Sequence, residues 1–143
     1  MIVTFFGHSR FAATDEYEKI ILSFLEEKVG ERYAQMYLGG YGDFDQFAYA
    51  CCKKYKSSHP NISLVFVTPY LNMSRERAYD LTIYPEIENK PLRFAISYRN
   101  QYMVEKADYV IAYVEHAWGG AYKSYKYAKR KGKYIFNLAN FNG

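Results

Sequence analysis

Apolar and polar positions follow two rhythms along this chain. Residues 2–6, a β-branched and aromatic run, are read as a first strand. Residues 15–28 place Tyr17, Ile20, Ile21, Phe24 and Leu25 at the i, i+3, i+4, i+7, i+8 spacing of one buried helix face. Asp15 with Glu18 resembles a capping box there, and Gly30 ends the helix. A short strand over 35–38 stops at Gly39-Gly40. The helix predicted over 43–56 turns Phe44, Phe47, Ala48, Cys51 and Tyr55 inward. A third strand over 62–67 lies between a Pro60-Asn61 turn and Pro69. Residues 70–91 carry no clear period. A helix over 92–106, a nearly continuous apolar strand over 109–114, a helix from Gly119-Gly120 to 131 and a strand over 134–138 complete the chain.

Strands that are nearly continuous apolar runs, alternating with helices, predict a parallel sheet buried on both faces. The expected fold class is α/β. The architecture is a Rossmann-like open parallel sheet of about five strands, in the order 3-2-1-4-5, with helices on both faces and right-handed crossovers. Residues 1–143 are expected to form a single domain of this type. Residues 69–91, with Tyr70, Tyr79, Asp80 and Tyr84, are read as a lid, because a long aperiodic stretch in a small domain is usually functional.

Composition narrows the class. The chain has 143 residues, of which 50% are hydrophobic and 20% aromatic, so a disordered chain is excluded. With 9 Gly and 4 Pro it is neither collagen-like nor of low complexity. Cys51 and Cys52 are adjacent, which suits neither a metal site nor an unstrained disulfide, so a reducing, cytoplasmic setting is expected. No run approaches the roughly 18 apolar residues of a membrane span, and the first residues lack a signal-peptide pattern. Net charge is +4, and Lys123, Lys126, Lys129, Arg130, Lys131 and Lys133 crowd the C-terminal fifth. A solvated helix face is the plainer reading of that cluster, and a nucleic-acid surface the sharper one. Exposed aromatics leave room for a homodimer.

Ligands of such sheets bind beyond the C-terminal strand ends, where the strand order reverses. Three strand tails should meet there: Gly7-His8-Ser9-Arg10, Gly39-Gly40-Tyr41-Gly42-Asp43-Phe44-Asp45 and Glu115-His116-Ala117-Trp118-Gly119-Gly120. Glycines between strand and helix let a ligand approach the backbone, and the helix N-terminus then offers free N–H groups to an anion. Tight βα turns are the plainer reading of the same glycines. Arg10 and Arg99 could make bidentate phosphate contacts, and Trp118 or Tyr41 could stack on a base. Neither GxGxxG nor GxxxxGK[ST] is present, which argues against a dinucleotide oxidoreductase and a P-loop protein. His8, His59 and His116 lack zinc-site spacing, so no metal and no cofactor is expected. Glu115 and Asp45 are the carboxylates placed to do chemistry. For Asp43 and Asp45 the plainer role is to complement the helix dipole.

The stretch Arg99-Asn100-x-x-Met103-x-x-x-Ala107-Asp108, followed by an apolar strand and Gly119-Gly120, resembles the SLOG superfamily, which unites DprA/Smf, LOG and YpsA-like proteins. Gly39-Gly40-Tyr41-Gly42-x-x-Asp45-x-x-Ala48 is similar to the YpsA-like GGxxGxDxxAA segment. Tyr84-Pro85, Arg93-Phe94-Ala95-Ile96, Trp118-Gly119-Gly120 and Tyr127-Ala128-Lys129 resemble small bacterial members of the group, and the likeness spans nearly the whole chain. It implies a Rossmann-like fold and a nucleotide-derived ligand. Arg99 matches the arginine that LOG enzymes use on ribose-phosphate, and Gly119-Gly120 match the first glycines of their PGGxGTxxE loop. Ala121-Tyr122-Lys123 replaces the rest of that loop, and the catalytic glutamate positions fall near Tyr125 and Lys126. The LOG activity is therefore not transferred, since a lysine cannot stabilise an oxocarbenium-like transition state.

The expected ligand-binding set is Gly7, His8, Ser9, Arg10, Gly39, Gly40, Tyr41, Gly42, Asp45, Arg99, Asn100, Met103, Glu115, His116, Trp118, Gly119 and Gly120. The expected function is binding of a nucleotide-like small molecule, as a sensor or sequestering module. The alternative is an N-glycosidic hydrolase or transferase using Glu115, Asp45 or Asp80. A nucleic-acid partner on the last helix is the third reading, and no membrane partner is expected.

Overall fold

The computed structural model describes residues 1–71 and 78–141. Six parallel strands form one sheet: β1 (Ile2–Gly7), β2 (Ala34–Leu38), β3 (Ile62–Val67), β4 (Leu81–Ile83), β5 (Tyr109–Tyr113) and β6 (Tyr134–Asn137). Their order is β4-β3-β2-β1-β5-β6. The expected order 3-2-1-4-5 is preserved within it, with one strand more than the five expected. The extra strand, β4, pairs Leu81 to Ile83 with Val65 to Val67 at the sheet edge. Three exposed or half-buried residues leave no periodic trace in a sequence.

The helices are α1 (Asp15–Lys28), α2 (Asp43–Ser58), α3 (Ala95–Lys106) and α4 (Gly120–Arg130). The helix expected from residue 92 begins with a 3-10 turn, Leu92–Phe94, after Pro91. At α1 the capping box gives way to a simpler cap. Thr14 is the N-cap, and its hydroxyl accepts the Tyr17 N–H at 3.1 Å, which puts Glu18 one position too far along to close a box. Gly30, with φ 57°, does terminate that helix, its N–H donating to the Leu25 carbonyl.

Strand side chains alternate between two cores. Val3, Phe5, Met36, Leu64 and Ile111 point towards α1 and α2, where they meet Ile21, Leu25, Phe44, Ala48, Cys51 and Cys52. Phe6, Val110 and Ala112 point the other way, against Val104, Tyr125 and Ala128 of α3 and α4. Burial pushes the Cys51 thiol up to about 12 and the Cys52 thiol up as well, so both are neutral core groups. The strand order reverses between β1 and β5, which pair from Val3–Tyr109 to Gly7–Tyr113. Their C-terminal ends define the site.

Candidate functional site at the strand-order reversal

A cleft of about 660 Å³ opens above β1 and β5. Fourteen of the expected residues line it: Gly7, His8, Ser9 and Arg10 from the β1 tail; Tyr41 and Asp45 from the β2–α2 turn; Arg99, Asn100 and Met103 from α3; and Glu115, His116, Trp118, Gly119 and Gly120 from the β5–α4 turn. Gly39, Gly40 and Gly42, also expected there, do not line it. Phe5, Phe6, Ile96, Ala121 and Ser124 also line the cleft and were absent from the expectation. Ser124 had a readable signal. It is the one polar residue on the Ala121, Ser124, Tyr125, Ala128 stripe of α4, and it is buried.

The β2–α2 turn is closed by the protein's own groups. A Cβ at Gly40, where φ is 69°, would meet the Phe66 ring at 2.7 Å, and one at Gly42, where φ is 89°, would meet Ser9 Cα at 2.8 Å. The Asp43 N–H donates to the Ser9 carbonyl at 2.8 Å, and the Phe11 N–H donates to the Asp43 carboxylate at 3.3 Å. Asp45 Oδ2 accepts the Tyr41 N–H at 2.8 Å. Two carboxylates and a carbonyl already complement this helix end.

The β5–α4 turn differs in its charges. Like Gly42 at α2, its N-cap Gly119, at φ 90°, has no side-chain cap, but unlike α2 the first turn of α4 carries no acidic residue. Cβ atoms placed on Gly119 and Gly120 would meet nothing within 4 Å. The first turn of α4, the positive end of the helix dipole, therefore borders the cleft with open space beside its glycines.

Arg99 is buried, and its Nη1 is held by backbone carbonyls. Nη1 donates to the Gly39 carbonyl at 3.0 Å and the Val67 carbonyl at 2.7 Å, while Nε donates to Asn100 Oδ1 at 2.9 Å. The guanidinium thus joins the ends of β2 and β3 while bordering the cleft. Asp45 shares this region. Burial pushes its carboxyl up to about 7, against the Tyr41 N–H and Arg99, which lower it. A carboxyl poised near neutrality can give or take a proton. Glu115 lies on the opposite wall, its carboxylate accepting from the Tyr113 hydroxyl at 3.1 Å.

His8 is buried and stays neutral. Burial and His116 lower its pKa, against Glu115. Its Nε2 accepts the Glu115 N–H at 2.9 Å, which requires the proton on Nδ1. Asp80 lies apart from the cleft. It precedes β4, pairs with Lys56 at 2.5 Å and accepts the Leu64 N–H. The middle of the expected lid, 72–77, lies outside the described residues. On its far side Tyr79 stacks on Phe66 at 5.1 Å, and the Tyr49 hydroxyl donates to the Ala78 carbonyl at 2.7 Å.

A second, broader groove of about 930 Å³ separates the start of α3 from α4 and shares Ile96, Asn100, Gly120 and Ser124 with the cleft. Its cations are Arg93, Lys123, Lys126, Lys129 and Arg130, and no carboxylate among the described residues lines it. Lys133, from the same basic cluster, instead donates to the Glu105 and Ala107 carbonyls at the end of α3. Among the described residues no helix is long and apolar enough to cross a membrane, and no group of three His, Cys, Asp or Glu side chains could hold a metal.

Sheet order, crossovers and a cleft at the reversal define a Rossmann-like α/β protein. No family model and no curated protein matches the chain. Solved structures do. DNA processing protein A from Helicobacter pylori, described as having a unique single-stranded DNA binding mode, superposes with a TM-score of 0.65 at 17% identity. That match covers 98% of this chain and 66% of that one, so the present chain spans just under two thirds of its neighbour. The structural genomics target TM1055 superposes with a TM-score of 0.60 at 14% identity, covering 94% of this chain and 71% of that one. At such identities the likeness establishes the fold.

Proposed function

We propose that the cleft binds a nucleotide or nucleotide-derived ligand of the ribose-phosphate type, with the phosphate on the first turn of α4, and that the protein acts as a sensor or sequestering module. The observation that carries this reading is the state of the β5–α4 turn. It is a helix N-terminus without cap or acid, beside a glycine, Gly120, that neither packing nor a positive φ demands. An anion of phosphate size supplies what that turn lacks. Arg10 and Ser9, exposed on the facing wall, add a cation and a hydroxyl.

The test is a thermal-shift panel of nucleoside monophosphates, ADP-ribose, cyclic dinucleotides and unphosphorylated nucleosides. A ligand at ~100 times its dissociation constant stabilises by about 2.7 kcal/mol. The expected result is a shift with phosphorylated members and none with the nucleosides. A flat panel contradicts the reading.

One observation favours a second reading, in which a single-stranded nucleic acid runs from the cleft into the α3–α4 groove. Among the described residues five cations and no carboxylate line that groove, and the Helicobacter pylori neighbour is described as having a single-stranded DNA binding mode. It predicts oligonucleotide affinity that falls steeply with salt and is lost on replacing Lys126, Lys129 and Arg130 together with alanine. Affinity indifferent to both salt and the triple substitution eliminates it.

A further inference from the structure

The end of β5 carries a more specific assignment, which rests on the reading that the cleft holds a phosphorylated ligand. His8, His116 and Trp118 form one continuous pile of rings. The first two centroids are 3.7 Å apart and the second two 3.6 Å, with 14° between planes in each pair. Two hydrogen bonds fix the pile. The Glu115 N–H donates to His8 Nε2 at 2.9 Å, and His116 Nδ1 donates to the Trp118 carbonyl at 3.1 Å. The inner ring, His8, is buried, whereas the outer one, Trp118, is 69% exposed. The pile is therefore anchored at one end and unfinished at the other.

Tyr41, the other exposed large aromatic among the described residues lining the cleft, stacks on no ring among them. It lacks the support that holds the indole in one orientation. A pre-set ring gives up less freedom when a second ring settles on it. We infer that the outer face of Trp118 seats a flat aromatic ring of the ligand, a nucleobase in chemical class, as the fourth layer of the pile.

Chain geometry agrees with a mononucleotide. Trp118 and Gly120 are two residues apart, so their Cα atoms lie within ~7 Å. A base on the indole and a phosphate on the first N–H groups of α4 then fall within the reach of one ribose. The platform selects for the presence of a base rather than its identity, because every base has a π-face.

Trp118 is the chain's only tryptophan, so its fluorescence reports this site alone. The experiment titrates the full chain with AMP, GMP and ribose 5-phosphate, following fluorescence and calorimetric heat together. Both mononucleotides are expected to quench the emission, and ribose 5-phosphate to bind more weakly without quenching. Trp118→Ala should weaken AMP by about 5- to 100-fold and leave ribose 5-phosphate unchanged. If AMP binds Trp118→Ala as tightly as the wild type, or ribose 5-phosphate matches AMP in the wild type, the platform is overturned while the phosphate seat stands. If none of the three binds, both readings fall. The wild-type comparison of AMP with ribose 5-phosphate decides the matter even should the variant not fold.

Discussion

Two glycine turns, 39–42 after β2 and 119–120 after β5, are spelled alike and built differently. At the first, glycine is what the protein's own packing demands: Phe66, Ser9 and the Arg99 guanidinium occupy the space a side chain would take. The helix it opens is complemented by Asp43, Asp45 and the Ser9 carbonyl. At the second, Gly119 needs its positive φ, but Gly120 needs neither its φ nor its small size. No acidic residue stands in the first turn of α4. A glycine turn satisfied from within builds a fold, and one left unsatisfied beside a cleft is where a ligand has something to contribute.

The comparison can be broken by substitution. The largest effect is expected at the closed turn. Gly42→Ala combines φ 89° with a Cβ 2.8 Å from Ser9 Cα, and should cost about 2–4 kcal/mol of stability, read by urea unfolding. A loss below 0.5 kcal/mol would mean that this turn is not packed as described. Next comes His8→Ala, which removes the acceptor of the Glu115 N–H and the inner layer of the pile. About 1–3 kcal/mol should go. In the wild type the lowered His8 pKa makes the unfolded chain the better proton binder below pH ~6.5, so this contribution is present above that value and lost as pH falls.

Asp45 has the opposite sign. Its carboxyl titrates near 7 in the folded protein, above its ordinary 3.8, so the native state keeps a proton that the unfolded chain has released. The resulting stability is full below pH ~4 and lost as pH rises through 7. Asp45→Asn, whose amide oxygen still accepts the Tyr41 N–H, should therefore gain stability over the wild type at pH 8 relative to pH 4. Parallel pH–stability curves for the two proteins would contradict the assignment. The smallest effect on stability belongs to the second turn. Gly120→Ala should stay within about 0.5 kcal/mol of the wild type, or gain slightly from helix propensity, while weakening any phosphate bound there. A large destabilisation would return Gly120 to the class of packing glycines.

Much of the fold was legible because its signals are long and periodic. The α1 stripe and the apolar runs of β1, β3 and β5 leave little choice of period, and strand tails follow from strand order. What escaped was short or three-dimensional. β4 pairs through three residues at an edge, and the α1 cap shifts by one residue, to Thr14. Arg99 reads as a phosphate ligand by residue type, yet its Nη1 is held by two backbone carbonyls that only the packed sheet brings together. The same limit applies to the glycines. No sequence pattern separates a turn that Phe66 fills from one that stands empty.

The most direct measurement is therefore amide chemical-shift mapping of the full chain against AMP. The account predicts saturable shifts at the Gly120, Ala121 and Tyr122 amides, with the Asp43 and Phe44 amides unmoved. Shifts confined to the first turn of α2, or none at the first turn of α4 while AMP is demonstrably bound, would contradict it.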